Sequence, residues 1–173
     1  KENCQQLITS DLDYGIPMQK MGYSTTFIPN PINTDKIVFQ PIENTNKIII
    51  FLGINRLSYL KKGINYFEKA LEIIREKYAD KVEIIVTENL PYNEYISIYN
   101  KAHILLDQVF AYDQGYNALE AMAKGKVVFT GAETDFLNQY QLQEDEVCIN
   151  ALPNENEIAA KLSLLIEHTK KIM

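Results

Sequence analysis

The feature that most narrows the fold is Ile48-Ile49-Ile50-Phe51-Leu52, an unbroken β-prone apolar run with no polar alternation. A strand with one wet face alternates apolar and polar positions. A strand covered on both faces has no such need, and strands of that kind sit at the centre of parallel sheets. An amphipathic helix follows: Ile64, Phe67, Leu71, Ile74 and Tyr78 recur every three or four positions, with Glu68, Lys69, Glu72, Arg75 and Glu76 between them. The alternation then continues. Strands are predicted over 82–87, 103–107, 127–130 and 146–150. One helix opens at Pro91 and carries Tyr92, Tyr95 and Tyr99 on a single stripe, expected in the core. Another runs over 115–124 and stops at Gly125 as a left-handed cap, and a last one follows the capping pair Asn154 and Glu157. Right-handed crossovers between such units give an α/β fold, a doubly wound, mainly parallel, Rossmann-like sheet with helices on both faces.

Composition sets the outer limits. A chain of 173 residues is one ordinary domain, and 46% apolar with 23% charged residues is the balance of a chain that folds. A formal charge of −6, with acids and bases interspersed, offers no basic face to a nucleic-acid backbone, so nucleic acid is not an expected partner. The longest apolar run, 48–54, is far shorter than the roughly 20 residues a membrane-spanning helix needs. The chain opens Lys1-Glu2-Asn3-Cys4 with no charged-then-apolar leader. Cys4 and Cys148 lack metal-ligand spacing, and so few thiols fit a reducing, cytoplasmic compartment, with Cys148 an inert core thiol in Val147-Cys148-Ile149. Residues 1–46 hold scattered apolar residues and the connector-like Glu43-Asn44-Thr45-Asn46, so the domain proper is expected over 47–173.

In open sheets of this type, ligands bind beyond the carboxyl ends of the strands, which directs attention to the loops 53–63, 87–91, 107–115 and 130–134. The first reads Gly53-Ile54-Asn55-Arg56-Leu57-Ser58-Tyr59-Leu60-Lys61-Lys62-Gly63 and places Arg56, Lys61 and Lys62 where an anionic ligand would sit. A guanidinium offers a planar fork to two phosphate oxygens, an ammonium offers a point charge, and the N–H groups opening the next helix also favour anions. Solvation of an ordinary surface is the competing explanation. The third loop runs into a helix as Asp113-Gln114-Gly115-Tyr116-Asn117-Ala118-Leu119-Glu120-Ala121-Met122-Ala123-Lys124-Gly125. Glu120 stands among apolar residues, and a carboxylate there needs either solvent or a hydroxyl-rich partner such as a ribose. Gly115 allows backbone amides to approach a phosphate or sugar closely.

These residues resemble the C-terminal donor-binding domain of the retaining glycosyltransferases with two Rossmann-like domains, the GT-B architecture. Arg56-Leu57 and Lys62-Gly63 look like that family's Gly-Arg-Leu...Lys-Gly segment with one extra residue between. Glu120-Ala121-Met122-Ala123-Lys124-Gly125-Lys126-Val127-Val128 resembles its Glu-Ala-Met-Ala-x-Gly-x-Pro-Val. Phe27-Ile28-Pro29-Asn30-Pro31-Ile32-Asn33-Thr34-Asp35 looks like its interdomain segment, which makes 1–46 the tail of an N-terminal acceptor domain plus the link to it. The resemblance implies a glycosyltransferase of bacterial polysaccharide or glycoconjugate synthesis, working in the cytoplasm or at the inner membrane face. It implies that Arg56 and Lys62, or Lys61 on a strict count, clasp the donor diphosphate and stabilise the leaving group. Glu120 would hold the ribose, and Asp113, Gly115 and Tyr116 would lie along the phosphates and sugar. The substrate that the resemblance implies is a nucleotide-diphosphate sugar, with no cofactor and no metal expected, and the 173 residues alone are expected to lack transferase activity.

Two departures stand out. The family's first glutamate, eight positions before its second, falls on Tyr112 with Asp113 next to it, and the segment between Val82 and Tyr95 is shorter than usual. Neither a G-x-G-x-x-G turn nor a G-x-x-x-x-G-K-[ST] loop is present, which removes the dehydrogenase and phosphate-loop classes. The histidines, His103 and His168, have no metal-site spacing, and His103 is expected to be structural. A sugar-nucleotide epimerase of the same architecture and a non-catalytic nucleotide-sugar or interaction module are the alternatives.

Overall fold

A computed structural model describes residues 6–41 and 46–168; Cys4 and all but the last residue of the connector 43–46 lie outside them. The main body is a five-stranded, all-parallel sheet in the order β4-β3-β5-β6-β7. Its strands are β3 (Ile48–Ile54), β4 (Val82–Glu88), β5 (Ile104–Leu106), β6 (Val127–Thr130) and β7 (Ile149–Asn150). Ile50, Phe51 and Leu52 of β3 have no solvent exposure, as the absence of alternation demands. Ile50 pairs with Ile84 of β4 on one side and with Ile104 of β5 on the other. The edge strand β4 has only Val82 fully buried.

Each sheet face carries its own core. On one, α3 (Ile64–Tyr78) and α7 (Glu155–Glu167) pack together, burying Phe67, Leu71, Ile74, Leu162 and Leu165 against Ile50 and Leu52. On the other, α4 (Tyr92–Lys101) and α5 (Tyr116–Ala123) bury Tyr99, Ala118 and Ala121 against Phe51, Leu105 and Val128. Burying each large apolar side chain contributes about 1.5–3 kcal/mol, so these two layers dominate the stability. Gly125 ends α5 with φ of 83°, the left-handed geometry foreseen for it. Asn154 caps α7 by accepting from the N–H groups of Asn156 and Glu157. His103 is buried and its Nδ1 accepts from the Ile49 N–H at 3.0 Å, a structural position. Cys148 is buried beside Ala132 and Phe136, and its thiol is pushed up to about 12 by burial and, secondarily, by Asp145, so it is unreactive.

Four features differ from the sequence reading. Tyr92 is not core: it is 72% exposed, because the stripe of α4 turns out of the sheet at its first residue. The segment after β6 folds into a further helix, α6 (Thr134–Tyr140), anchored by Phe136. The last strand is a two-residue piece, since the chain turns at 144–145, where Asp145 takes a left-handed φ of 58°, and stays bent through 148. Within 1–46, residues Leu7–Thr9 (β1), Leu12–Lys20 (α1) and Thr25–Phe27 (β2) form an ordered β–α–β unit with a parallel two-stranded sheet. Between β3 and α3 lie a single 3-10 turn at Arg56–Ser58 and a short helix, α2 (Tyr59–Lys62).

Candidate functional site

The sheet order fixes where a ligand fits. From β3 the chain crosses to β4 on one side and then returns to β5 on the other, so the switch point lies between the carboxyl ends of β3 and β5. The loops leaving those strands meet there, joined at their base by the Val109 N–H donating to the Lys62 carbonyl at 2.7 Å. Gly63 makes the contact possible. It holds a left-handed φ of 67° between α2 and α3, and a Cβ on it would press on Val109 and Phe110.

Asp107, the residue after β5, organises the crevice. Its carboxylate is 2% exposed and accepts from the Lys62 ammonium at 2.9 Å and from the Asn117 amide at 2.9 Å, both on Oδ1. Thr130 at the end of β6 lies 3.5 Å from Oδ2. The Lys62 side chain is 30% exposed, so Asp107 holds an ammonium whose side chain is only partly covered. Asn117 in turn accepts from the Tyr95 hydroxyl at 2.9 Å, and its carbonyl accepts from Tyr99 at 2.8 Å. The Tyr95 phenol is pushed up to about 12, chiefly by burial and next by the negative charge of Asp107, with Glu120 a smaller contributor; it stays protonated and donating. Its ring lies over Gly53, where a Cβ would collide with it.

Asn117 and Glu120 sit one helical turn apart on the same face of α5, the face turned to α4. The Glu120 side chain is half-buried, and its carboxylate has no hydrogen-bond or ion-pair partner among the described residues. Gly115 is the N-cap of α5 and supplies no side-chain cap, and a Cβ there would meet nothing within 4 Å. The amide end of α5 is open, with Tyr116 beside it 52% exposed.

Three expected site residues lie apart from this network. Arg56 faces β4, where its Nε donates to Glu88 at 2.9 Å and its terminal nitrogen to the other carboxylate oxygen; both side chains are about half exposed. Its guanidinium also stacks 5.0 Å from the centre of the Tyr59 ring. Lys61 is exposed and acts on Asp13 of α1. Asp113 is buried and accepts from the Leu12 N–H at 2.9 Å, while the Tyr112 N–H donates to Asp13 at 3.1 Å. The carboxylates of Asp11, Asp13 and Asp113 approach within 4.8 Å of one another, and burial, followed by the charges of Asp11 and Asp13, pushes Asp113 up to about 6. Asp107 and Asn117 were not assigned to the site from the sequence, and Tyr95 was expected only in the core. The available signal was an acid closing the apolar strand Ile104–Leu106 at a central position of the sheet.

Among the described residues, seven helices and a parallel sheet in this order, with a crevice at the β3/β5 switch point, have the fold of the C-terminal domain of GT-B glycosyltransferases. TarM shares it over 96% of this chain, with a TM-score of 0.69 and 13% identity, this chain spanning 37% of that protein. The C-terminal domain of the group 1 glycosyl transferase LpcC from Francisella tularensis matches over 82% of this chain and 91% of its own, with a TM-score of 0.57 and 22% identity. Sucrose-phosphate synthase from Thermosynechococcus elongatus matches over 96% and 50%, with a TM-score of 0.63 and 17% identity. A mutant form of S. aureus TarM has been solved with UDP. No family model and no curated protein sequence matches the chain. Among the described residues, no helix is long and apolar enough to cross a membrane.

Proposed function

We propose that this chain is the donor half of a glycosyltransferase and that it binds the nucleoside diphosphate of an activated sugar in the β3/β5 crevice. One observation carries the reading: the Lys62–Asp107–Asn117 chain of hydrogen bonds ties the ammonium of a partly exposed lysine to the helix face that bears Glu120, whose carboxylate has no partner among the described residues. Diphosphate oxygens need cations and free N–H groups, and Lys62 with the open end of α5 at Gly115 and Tyr116 supplies both. Ribose hydroxyls need an acceptor, and Glu120 supplies one. Arg56 joins when the phosphates replace its exposed partner Glu88, since an exposed ion pair is easily exchanged. Lys61 and Asp113 keep the neighbouring loops in place.

Transfer breaks the bond between the anomeric carbon and the diphosphate while the acceptor hydroxyl forms the new one. Positive charge fixed at the diphosphate stabilises the negative charge that develops as it departs. The acceptor side belongs to a preceding domain. In support, the β1/β2 pair is a two-stranded parallel sheet with Ile8 exposed at 62% and Tyr14 of α1 and Met21 just after it equally open, although parallel sheets are normally covered on both faces. The parent enzyme then serves bacterial polysaccharide or glycoconjugate assembly on the cytoplasmic side, and the 173 residues alone transfer no sugar.

Thermal melting with UDP-, GDP- and ADP-sugars tests the proposal. A stabilising ligand raises the melting temperature of the wild type, and Lys62→Met combined with Glu120→Ala abolishes that rise. If none of the nucleotide sugars moves the transition, the donor-site reading is wrong and a pure interaction module takes its place.

A further inference from the structure

Lys62 is an awkward residue to trust with a diphosphate. It ends a four-residue helix, its stem has four rotatable bonds, and a free ammonium at that position would spread over many rotamers. What removes that freedom is Asp107. The aspartate is anchored from three directions, by Lys62 at the end of α2, Asn117 at the start of α5 and Thr130 at the end of β6, which meet at the carboxyl side of the sheet. Only one of the three ammonium protons is used in this bond. The same oxygen that holds Lys62 also fixes the Asn117 amide, and hence the first turn of α5 that precedes Glu120.

From this geometry we infer that Asp107 is the positioning residue of the donor site, presetting the Lys62 ammonium and the α5 amide end for the two phosphates of a nucleoside diphosphate. The inference rests on the donor-site reading above and adds to it a residue that touches no ligand. Asp107 is too deeply buried for a phosphate to reach, so its own negative charge acts on the ligand only through the groups that it holds.

The experiment is calorimetric titration of the wild-type chain, D107N, K62M and the double variant with UDP, GDP and ADP, each beside its nucleoside. The expected result is that D107N weakens the diphosphate that binds by about tenfold, the size of one hydrogen bond to a charged group, and leaves the matching nucleoside unchanged. The loss caused by D107N is smaller in the K62M background than in the wild type, because part of the aspartate's effect runs through the lysine and the rest through Asn117. Equal weakening of nucleoside and diphosphate overturns the inference, as do additive losses or tighter diphosphate binding in D107N. A complex crystal provides a measurement that does not depend on the variant folding. Lys62 Nζ stays within hydrogen-bond distance of Asp107 while donating to a phosphate oxygen, and a lysine that abandons Asp107 on binding overturns the inference. If no diphosphate binds the wild type, the donor-site reading fails and takes this one with it. Diphosphate binding that D107N leaves intact removes this inference alone.

Discussion

One loop, 107–115, contains two buried aspartates six residues apart, and their surroundings are opposite. Asp107 faces an ammonium, an amide and a hydroxyl. Asp113 faces a backbone N–H and two other carboxylates, and its own carboxyl is pushed up to about 6. The first has its charge answered by the ammonium of a partly exposed side chain. The second has its charge opposed by its neighbours, with Lys61 acting from the adjoining loop on Asp13 and Tyr140 of α6 feeling the charge of Asp113. Residue type therefore says little about the work of a buried acid; what the other strand ends and helix ends bring to it decides. One end of the loop is built for charge and the other ties the β–α–β unit to the sheet.

The largest effect expected from breaking this contrast comes from Asp107→Ala. Removing one partner of a buried ion pair costs about 3–5 kcal/mol, and because the Lys62 side chain is only partly buried the loss here is about 2 kcal/mol, read from urea unfolding. Pairing the change with Lys62→Met recovers part of that loss. The second variant, Asp113→Asn, has the opposite sign at neutral pH. Folding raises the Asp113 carboxyl from near 3.8 to about 6, so the folded chain binds the extra proton between those values. The contribution of that proton to stability is complete below about pH 4 and lost as pH rises through about 6. Asp113→Asn keeps an acceptor for the Leu12 N–H without the charge. It melts higher than wild type at pH 7.5 by the equivalent of about 1 kcal/mol, and the gain vanishes at pH 4. A gain of equal size at both pH values would mean that charge is not what sets Asp113 apart. The smallest effect is that of Arg56→Ala, whose exposed pair with Glu88 leaves the unliganded melting temperature unchanged within error, while the ligand-induced rise becomes smaller.

Much of the fold was legible because it depends on local pattern. The unbroken apolar run at β3, the three-and-four spacing of α3, the glycine after α5 and the asparagine before α7 each state their own conformation. Helix α6 was missed because Thr134–Tyr140 contributes one buried residue, too little for a periodic signal. The β1–α1–β2 unit was missed for a different reason: strands of three residues and a helix containing Pro17 carry almost no pattern, and the unit is held by contacts to Asp113 and Tyr112, about a hundred positions away. At the crevice, the loops and Lys62 could be read from charge and position. That Asp107 and not Glu88 would take the lysine, and that Arg56 would turn to β4, follows from sheet order, which a single sequence does not display.

The Tyr95 ring rests on the bare backbone of Gly53, and through Asn117 that ring is tied to the loop end of α5. One methyl group added to the end of the opening strand would therefore be felt at the mouth of a helix it does not touch. The clearance between the two halves of the crevice is thus written into a hydrogen atom at position 53, a dimension that no polar residue in the site can restore.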